Sequence, residues 1–138
     1  MNREILFRAK CSGVWRYGSY VHFDKKPIHD CYNTKYRDFI VVNGVYGENH
    51  YPITEFSSIG QYTGLKDKNG KKIFEGDVVI IGEKLKAKVI YYDGAFRMQS
   101  EFSPTPIDTT DMGYMMREFS VRVIGNIHDN PELIKKSV

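Results

Sequence analysis

A chain of 138 residues, 41% hydrophobic and 27% charged, has room for one domain or two small lobes and no multidomain enzyme. That balance excludes wholesale disorder, and the length suffices to bury a core without disulfide staples. Lys and Arg number 20 against 17 Asp and Glu, a net charge of +3, too small to argue for nucleic acid on charge alone.

The start of the chain carries Arg3, Glu4 and Arg8 and has no apolar run of leader length. Nowhere does an apolar stretch approach the roughly 18 residues of a membrane span. The expectation is a cytoplasmic protein with no membrane partner, its Cys11 and Cys31 reduced. In chain order, Ile5–Lys10 predicts a first strand, Cys11-Ser12-Gly13 a turn, and Val14–Phe23 an aromatic-rich second strand with a bulge at Gly18. Asp24–Asp30 reads as a loop and Asp38–Tyr46 as a strand with a tight turn at Asn43-Gly44. Residues 47–62 are polar and broken by Gly and Pro, with at most one helical turn at Thr54–Ile59. Asn69-Gly70, between Thr63-Gly64-Leu65 and Ile73-Phe74, predicts a two-residue hairpin. After Glu75-Gly76-Asp77 come strands at Val78–Ile81, Ala87–Tyr92 and Ala95–Met98, with turns at Gly82-Glu83 and Asp93-Gly94. Residues 103–116 read as an irregular crossover loop. Phe119–Ile127 is the final strand, followed by a short helix opened by Pro131.

Two stretches resemble a known family. Thr63-Gly64-Leu65-Lys66-Asp67-Lys68-Asn69-Gly70-Lys71-Lys72-Ile73-Phe74-Glu75-Gly76-Asp77 is similar to the central signature of the YopX family of phage and prophage proteins. Val123-Ile124-Gly125-Asn126-Ile127-His128-Asp129-Asn130-Pro131-Glu132-Leu133 resembles its closing signature, and Arg3–Ala9 with Trp15 and Tyr17-Gly18 fits its opening. The resemblance implies a mainly β fold in a phage or prophage context inside a bacterial cell. It supplies no catalytic residue and no ligand.

Within the signature, Asp67 and Asn69 suit Asx-type bonds to nearby backbone N–H groups, Gly70 suits a left-handed position, and Asp77 suits holding loop amides ahead of a buried strand. Calcium and phosphate loops fail on spacing: two lysines follow Gly70 where calcium ligands should be, and Gly64 to Gly70 brackets five residues with no Gly-Lys-Ser/Thr ending. Cys11, His22, His29 and Cys31 are the zinc candidates, but His29 and Cys31 are one residue apart where structural pairs use two to four. No Gly-x-Ser-x-Gly elbow exists. No catalytic, cofactor-binding or metal residue is assigned, and no cofactor.

Two groups remain as interaction candidates. Trp15 and Tyr17, with Tyr20 a further candidate, near Arg8, Lys10 and Arg16, suit either stacking flanked by phosphate contacts or the filling of a small β core, and alternation separates Arg16 from Trp15 and Tyr17. Met112, Tyr114, Met115 and Met116 suit a contact surface if exposed and the roof of a core if not. Lys84, Lys86 and Lys88 share one strand face, which fits a solvated, protected sheet edge at least as well as phosphate contacts. The expected fold is mainly β: an N-terminal antiparallel meander (1–61) packed on a C-terminal SH3-like small barrel (62–138), with short helical turns only. The expected function is a non-enzymatic, phage-type protein-interaction module, forming a homo-oligomer or binding an unidentified phage or host protein. A nucleic-acid-binding module is the alternative, and an enzyme acting on nucleotides the third reading.

Overall fold

The structure, a computed structural model, describes residues 3–24, 37–44, 47–103, 105–106 and 109–134. The chain is mainly β, with one short α-helix among the described residues, and divides into two compact units, Met1–Tyr62 and Thr63–Val138.

The first unit is an antiparallel meander extended on one side. Strands β1 (Phe7–Cys11), β2 (Val14–His22), β3 (Asp38–Gly44) and β4 (Gly47–Pro52) pair in sequence order. The twelve-residue β5 (Glu55–Lys66) joins on the far side of β1, giving the order β4-β3-β2-β1-β5. Alternation sends Ala9, Cys11, Ile40 and Ile53 into a core with Phe7, Tyr20, Val42, Tyr51 and Ile59. Ser12 and Gly13 both take positive φ, which lets a two-residue turn match the twist of β1 and β2. Three local expectations change here. Asn43 pairs with Glu48 and Gly44 with Gly47, so the Asn-Gly dipeptide lies in the ladder and is not the corner. Thr54–Ile59 is no helical turn, because β5 begins at Glu55 and finds its partner in β1. Gly18 pairs regularly with Phe7 and is not a bulge; the irregularity lies between Arg8 and Lys10, facing β5.

In the second unit the end of β5 lies beside β6 (Lys72–Phe74). Strands β7 (Asp77–Ile81), β8 (Leu85–Tyr92), β9 (Ala95–Ser100), β10 (Thr110–Asp111) and β11 (Val121–Asn126) form a five-stranded antiparallel sheet in the order β10-β9-β8-β7-β11. Its end strands β10 and β11 are not paired with each other, so the described ladders do not include the closure of an SH3-like barrel. One face carries Val79, Ile81, Ala87, Val89, Met98 and Val121 into the core.

Residues 103–116 are not an irregular loop throughout. Asp111 accepts a hydrogen bond from the Tyr114 N–H (3.2 Å) and opens α1 (Met112–Glu118). The helix closes where the Phe119 N–H donates to the Met115 carbonyl (2.9 Å). Met112 and Met115, three apart, drop into the core at 2% and 9% exposure. Pro131 opens a 3-10 turn, Pro131–Ile134, as expected of a residue whose missing N–H costs nothing there.

The central signature turn differs in type from its expectation. The Gly70 N–H donates to the Asp67 carbonyl (3.0 Å) and the Asp67 N–H to the Lys71 carbonyl (2.8 Å), giving a three-residue loop. Gly70 has φ +82°, whereas Asn69 is not left-handed. Gly70→Ala should therefore cost about 1 kcal/mol in urea unfolding, while Asn69→Ala should cost no more than about 0.5 kcal/mol. Equal costs would restore the two-residue turn.

Candidate functional site

The family signatures first have to be accounted for physically. One carboxylate oxygen of Asp67 accepts from the Asn69 and Lys71 N–H groups (2.8 and 2.9 Å); the other accepts from Val123 N–H in β11 (3.0 Å), 56 residues away. Burial opposes the charge of Asp67. The hydrogen bonds from Val123, Lys71 and Asn69, with the Lys71 ammonium, outweigh it and hold the carboxyl below its ordinary value. Asp77, 2% exposed, accepts from the Phe74 N–H (2.8 Å). Gly76 turns at φ +93°, and its N–H and C=O bond to Val89 and Ile127. Thr63 donates to the Ile73 carbonyl and accepts from Leu65 N–H, Gly64 is left-handed between them, and Leu65 packs on the core. Asn126 accepts from the His128 and Asp129 N–H groups (3.0 and 2.9 Å), and a methyl group on Gly125 would sit 2.6 Å from Asn130 Oδ1. These side chains bind the protein's own backbone, which makes the signature a folding device.

The first sheet gathers aromatic and cationic groups. Cross-strand pairs Arg8–Tyr17 and Lys10–Trp15 put all four side chains on one face. The Arg8 guanidinium lies 4.7 Å from the Trp15 ring centre and the Lys10 ammonium 5.6 Å. Cation–π contact thus already engages the ring that a base would stack on. Tyr17 is 46% exposed beside it. Arg16 points to the opposite face, 4.1 Å over the Tyr51 ring.

Tyr20, His22 and Asp38 form a small network on that opposite face. Asp38 Oδ1 accepts from the Tyr20 hydroxyl (2.6 Å) and meets His22 Nδ1 (2.7 Å), while His22 Nε2 lies 3.5 Å from Asp24. Burial, then the hydrogen bond to Asp38 and its charge, push the Tyr20 phenol up to about 12. Burial also disfavours the Asp38 carboxylate, but the bonds from Tyr20 and His22 and the His22 charge prevail and lower its value. The consequences for stability have opposite pH limbs. Depressed Asp38 and Asp67 contribute fully above the unfolded carboxyl value of about 3.9, and that contribution is lost as pH falls through their folded values. Raised Tyr20 contributes below the unfolded phenol value of about 10 and loses that contribution as pH climbs toward about 12. Urea midpoints across pH should show both limbs, and Tyr20→Phe should flatten the alkaline one. An unchanged alkaline limb would exclude Tyr20 as its source.

Among the zinc candidates, Cys11 is a buried free thiol pointing at the Ala9 and Tyr51 carbonyls, its pKa raised by burial and only partly offset by Arg16. His22 belongs to the Asp38 network, and His29 and Cys31 lie outside the described residues. Among the described residues no three His, Cys, Asp or Glu side chains converge on a point that could hold a metal. No helix of the structure is long and apolar enough to cross a membrane.

The methionine cluster is corrected by burial. Met112 and Met115 are core, so they offer nothing to a partner, and Met116 is half-buried against the same core. Only Tyr114 of the group is exposed, at 48%. Sequence reasoning passed over three aromatics that the second unit exposes more: Phe102 (77%), Tyr91 (55%) at the β8–β9 end, and Phe119 (49%). Phe102 and Phe119 share the other end of the sheet. Glu101 N–H bonds the Lys86 carbonyl at the start of β8, and Gly82 N–H bonds the Ser120 carbonyl, so Phe102 and Phe119 both flank the β7–β8 turn. A Phe set between polar neighbours, Glu101 and Ser103 for Phe102 and Glu118 and Ser120 for Phe119, was the available signal.

The comparisons agree with this architecture. The chain is similar to the crystal structure of protein EF1440 from Enterococcus faecalis, at 27% identity and a TM-score of 0.52, over 97% of this chain and 100% of that one. Among curated proteins none matches this chain. A family model described as YopX protein matches residues 6–135, which takes in the central and closing signatures and the opening one from Leu6 onward, and the chain belongs to the YopX family.

Proposed function

We propose that this protein is a non-enzymatic interaction module of a phage or prophage, acting in the bacterial cell by docking a protein partner. The observation that carries the reading is the exposed aromatic pair at the β7–β8 end of the second sheet, Phe102 and Phe119. Large rings left in water on a rigid β scaffold are suited to act as anchors in a partner's pockets. Support also comes from the polar groups: Asp67, Asp77, Asn126 and Asp38 are occupied within the chain and not poised toward a substrate.

The test is a double variant, Phe102→Asp with Phe119→Asp. Static light scattering on the pure wild type reports self-association, and in-cell crosslinking with mass spectrometry reports a phage or host partner. The reading expects one of these complexes, lost in the double variant while its circular dichroism is unchanged. A monomer with no crosslinked protein, or a complex indifferent to both substitutions, would overturn it.

A further inference from the structure

We propose that the outer face of the second unit's sheet binds single-stranded nucleic acid along β8. This goes beyond the protein-docking reading and rests on different residues.

The starting point is the position of Lys86 and Lys88. They lie on β8, which is hydrogen-bonded to β7 on one side and β9 on the other. A lysine row shields a sheet edge only if it is on an edge strand; this one is central, so the edge-protection reading falls. The pairings then define what shares the face. Arg122, Ile80 and Lys86 form one row across β11, β7 and β8. Lys88 lies beside Val78 and Gln99, Ile90 beside Arg97, and Tyr92 beside Ala95 at the hairpin tip.

The 3-10 turn covers part of this face: it packs against β8 itself, and Leu133 abuts Gly125, the pairing partner of the fully buried Val78, which in turn pairs with Lys88. What remains accessible is a track. Arg122 is exposed, Lys86, Lys88, Ile80 and Ile90 are half-buried, and Tyr92 is 38% exposed. Lys86, Lys88 and Arg122 form no ion pair or side-chain hydrogen bond among the described residues. Arg97 is bonded to the Tyr92 and Thr109 carbonyls. Four acids among the described residues border the track: Glu101 follows β9 beside Lys86, Asp111 sits opposite Arg97, where it caps α1, Glu132 lies in the 3-10 turn packed on β8, and Asp93 follows Tyr92 at the hairpin tip. The three unengaged cations therefore dominate the Lys86–Lys88 end.

An outer sheet face that merely meets water is polar throughout. This one sets uncommitted cations among Ile80, Ile90 and an exposed Tyr92, and that alternation suits a single strand: phosphates on the cations, bases on the apolar and aromatic groups. A duplex would need an element projecting into a groove, and a pleated face offers none.

Fluorescence anisotropy on the full chain, using labelled dT and rU strands of about 12 nucleotides at ~50 and ~200 mM salt, tests the proposal. Three phosphate contacts predict roughly 18-fold weaker binding over that salt range. Lys86→Gln and Lys88→Gln should each weaken binding at ~50 mM salt and lower the salt slope by about 0.7. Tyr92→Ala should weaken binding about tenfold with the slope unchanged. Arg117→Gln, on α1, should change neither. The proposal is overturned by absence of binding at ~50 mM salt, by Lys86→Gln and Lys88→Gln variants that fold and bind like wild type, or by preference for a duplex of the same length. Urea midpoints of each variant separate lost contacts from lost folding.

Discussion

Asp67→Ala is expected to lower the unfolding free energy by about 4 kcal/mol. The carboxylate accepts three backbone N–H groups, two in its own loop and one in β11. Hydrogen bonds to a charged group are worth about 1.5–3 kcal/mol each, and part of that returns because the exposed loop tip can rehydrate. Against a typical total of about 5–15 kcal/mol the loss is large. Asp67→Asn should recover only a minority of it, since one of the two acceptor oxygens becomes an NH₂ facing donors. Urea denaturation measures both. The pH profile supplies a second readout: the lowered value of the Asp67 carboxyl means that its removal should shallow the acid limb of stability. A loss under about 1 kcal/mol for Asp67→Ala would show that the signature is not held by this carboxylate.

Gly18→Ala should cost about 3 kcal/mol, well beyond the price of losing a flexible residue in a turn. The added methyl would run into the Val41 carbonyl oxygen and would approach Ile40 Cγ2 at 3.2 Å. The first obstacle is backbone, bound into the β2–β3 ladder, so relief requires moving a strand and not a rotamer. Gly70→Ala, where the added methyl meets open space, provides the contrast at about 1 kcal/mol. If the two substitutions cost the same, β3 is not pressed against Gly18. Thermal midpoints of the two variants decide it.

How much of this could be read beforehand depended on the distance over which each interaction acts. Asp67 bonds Asn69 two residues on, Asp77 bonds Phe74 three residues back, and Asn126 bonds His128 and Asp129. Contacts of that span are set by the local chain, and the residue types declared them. The same carboxylate's bond to Val123 crosses 56 residues and had no local sign. Helix α1 was missed for another reason. Asp111 and the 3,4 spacing of Met112, Met115 and Met116 were its markers, but Gly113 and the preceding prolines pointed to a loop. Phe102 and the lysine row were likewise visible as residues but not as surfaces.

Alternation, turn-forming pairs and the Asx residues determined from the amino-acid order alone that this chain would be β-rich, where several corners lie, and which family it resembles. Tertiary structure decided which strand neighbours which. That choice buried Met112 and Met115, left Phe102 in water, and moved Lys86 and Lys88 from a supposed edge to the middle of a sheet. The physical reason is that a strand's pattern specifies which side chains share a face, whereas its place in the sheet follows from pairings between residues far apart in the chain.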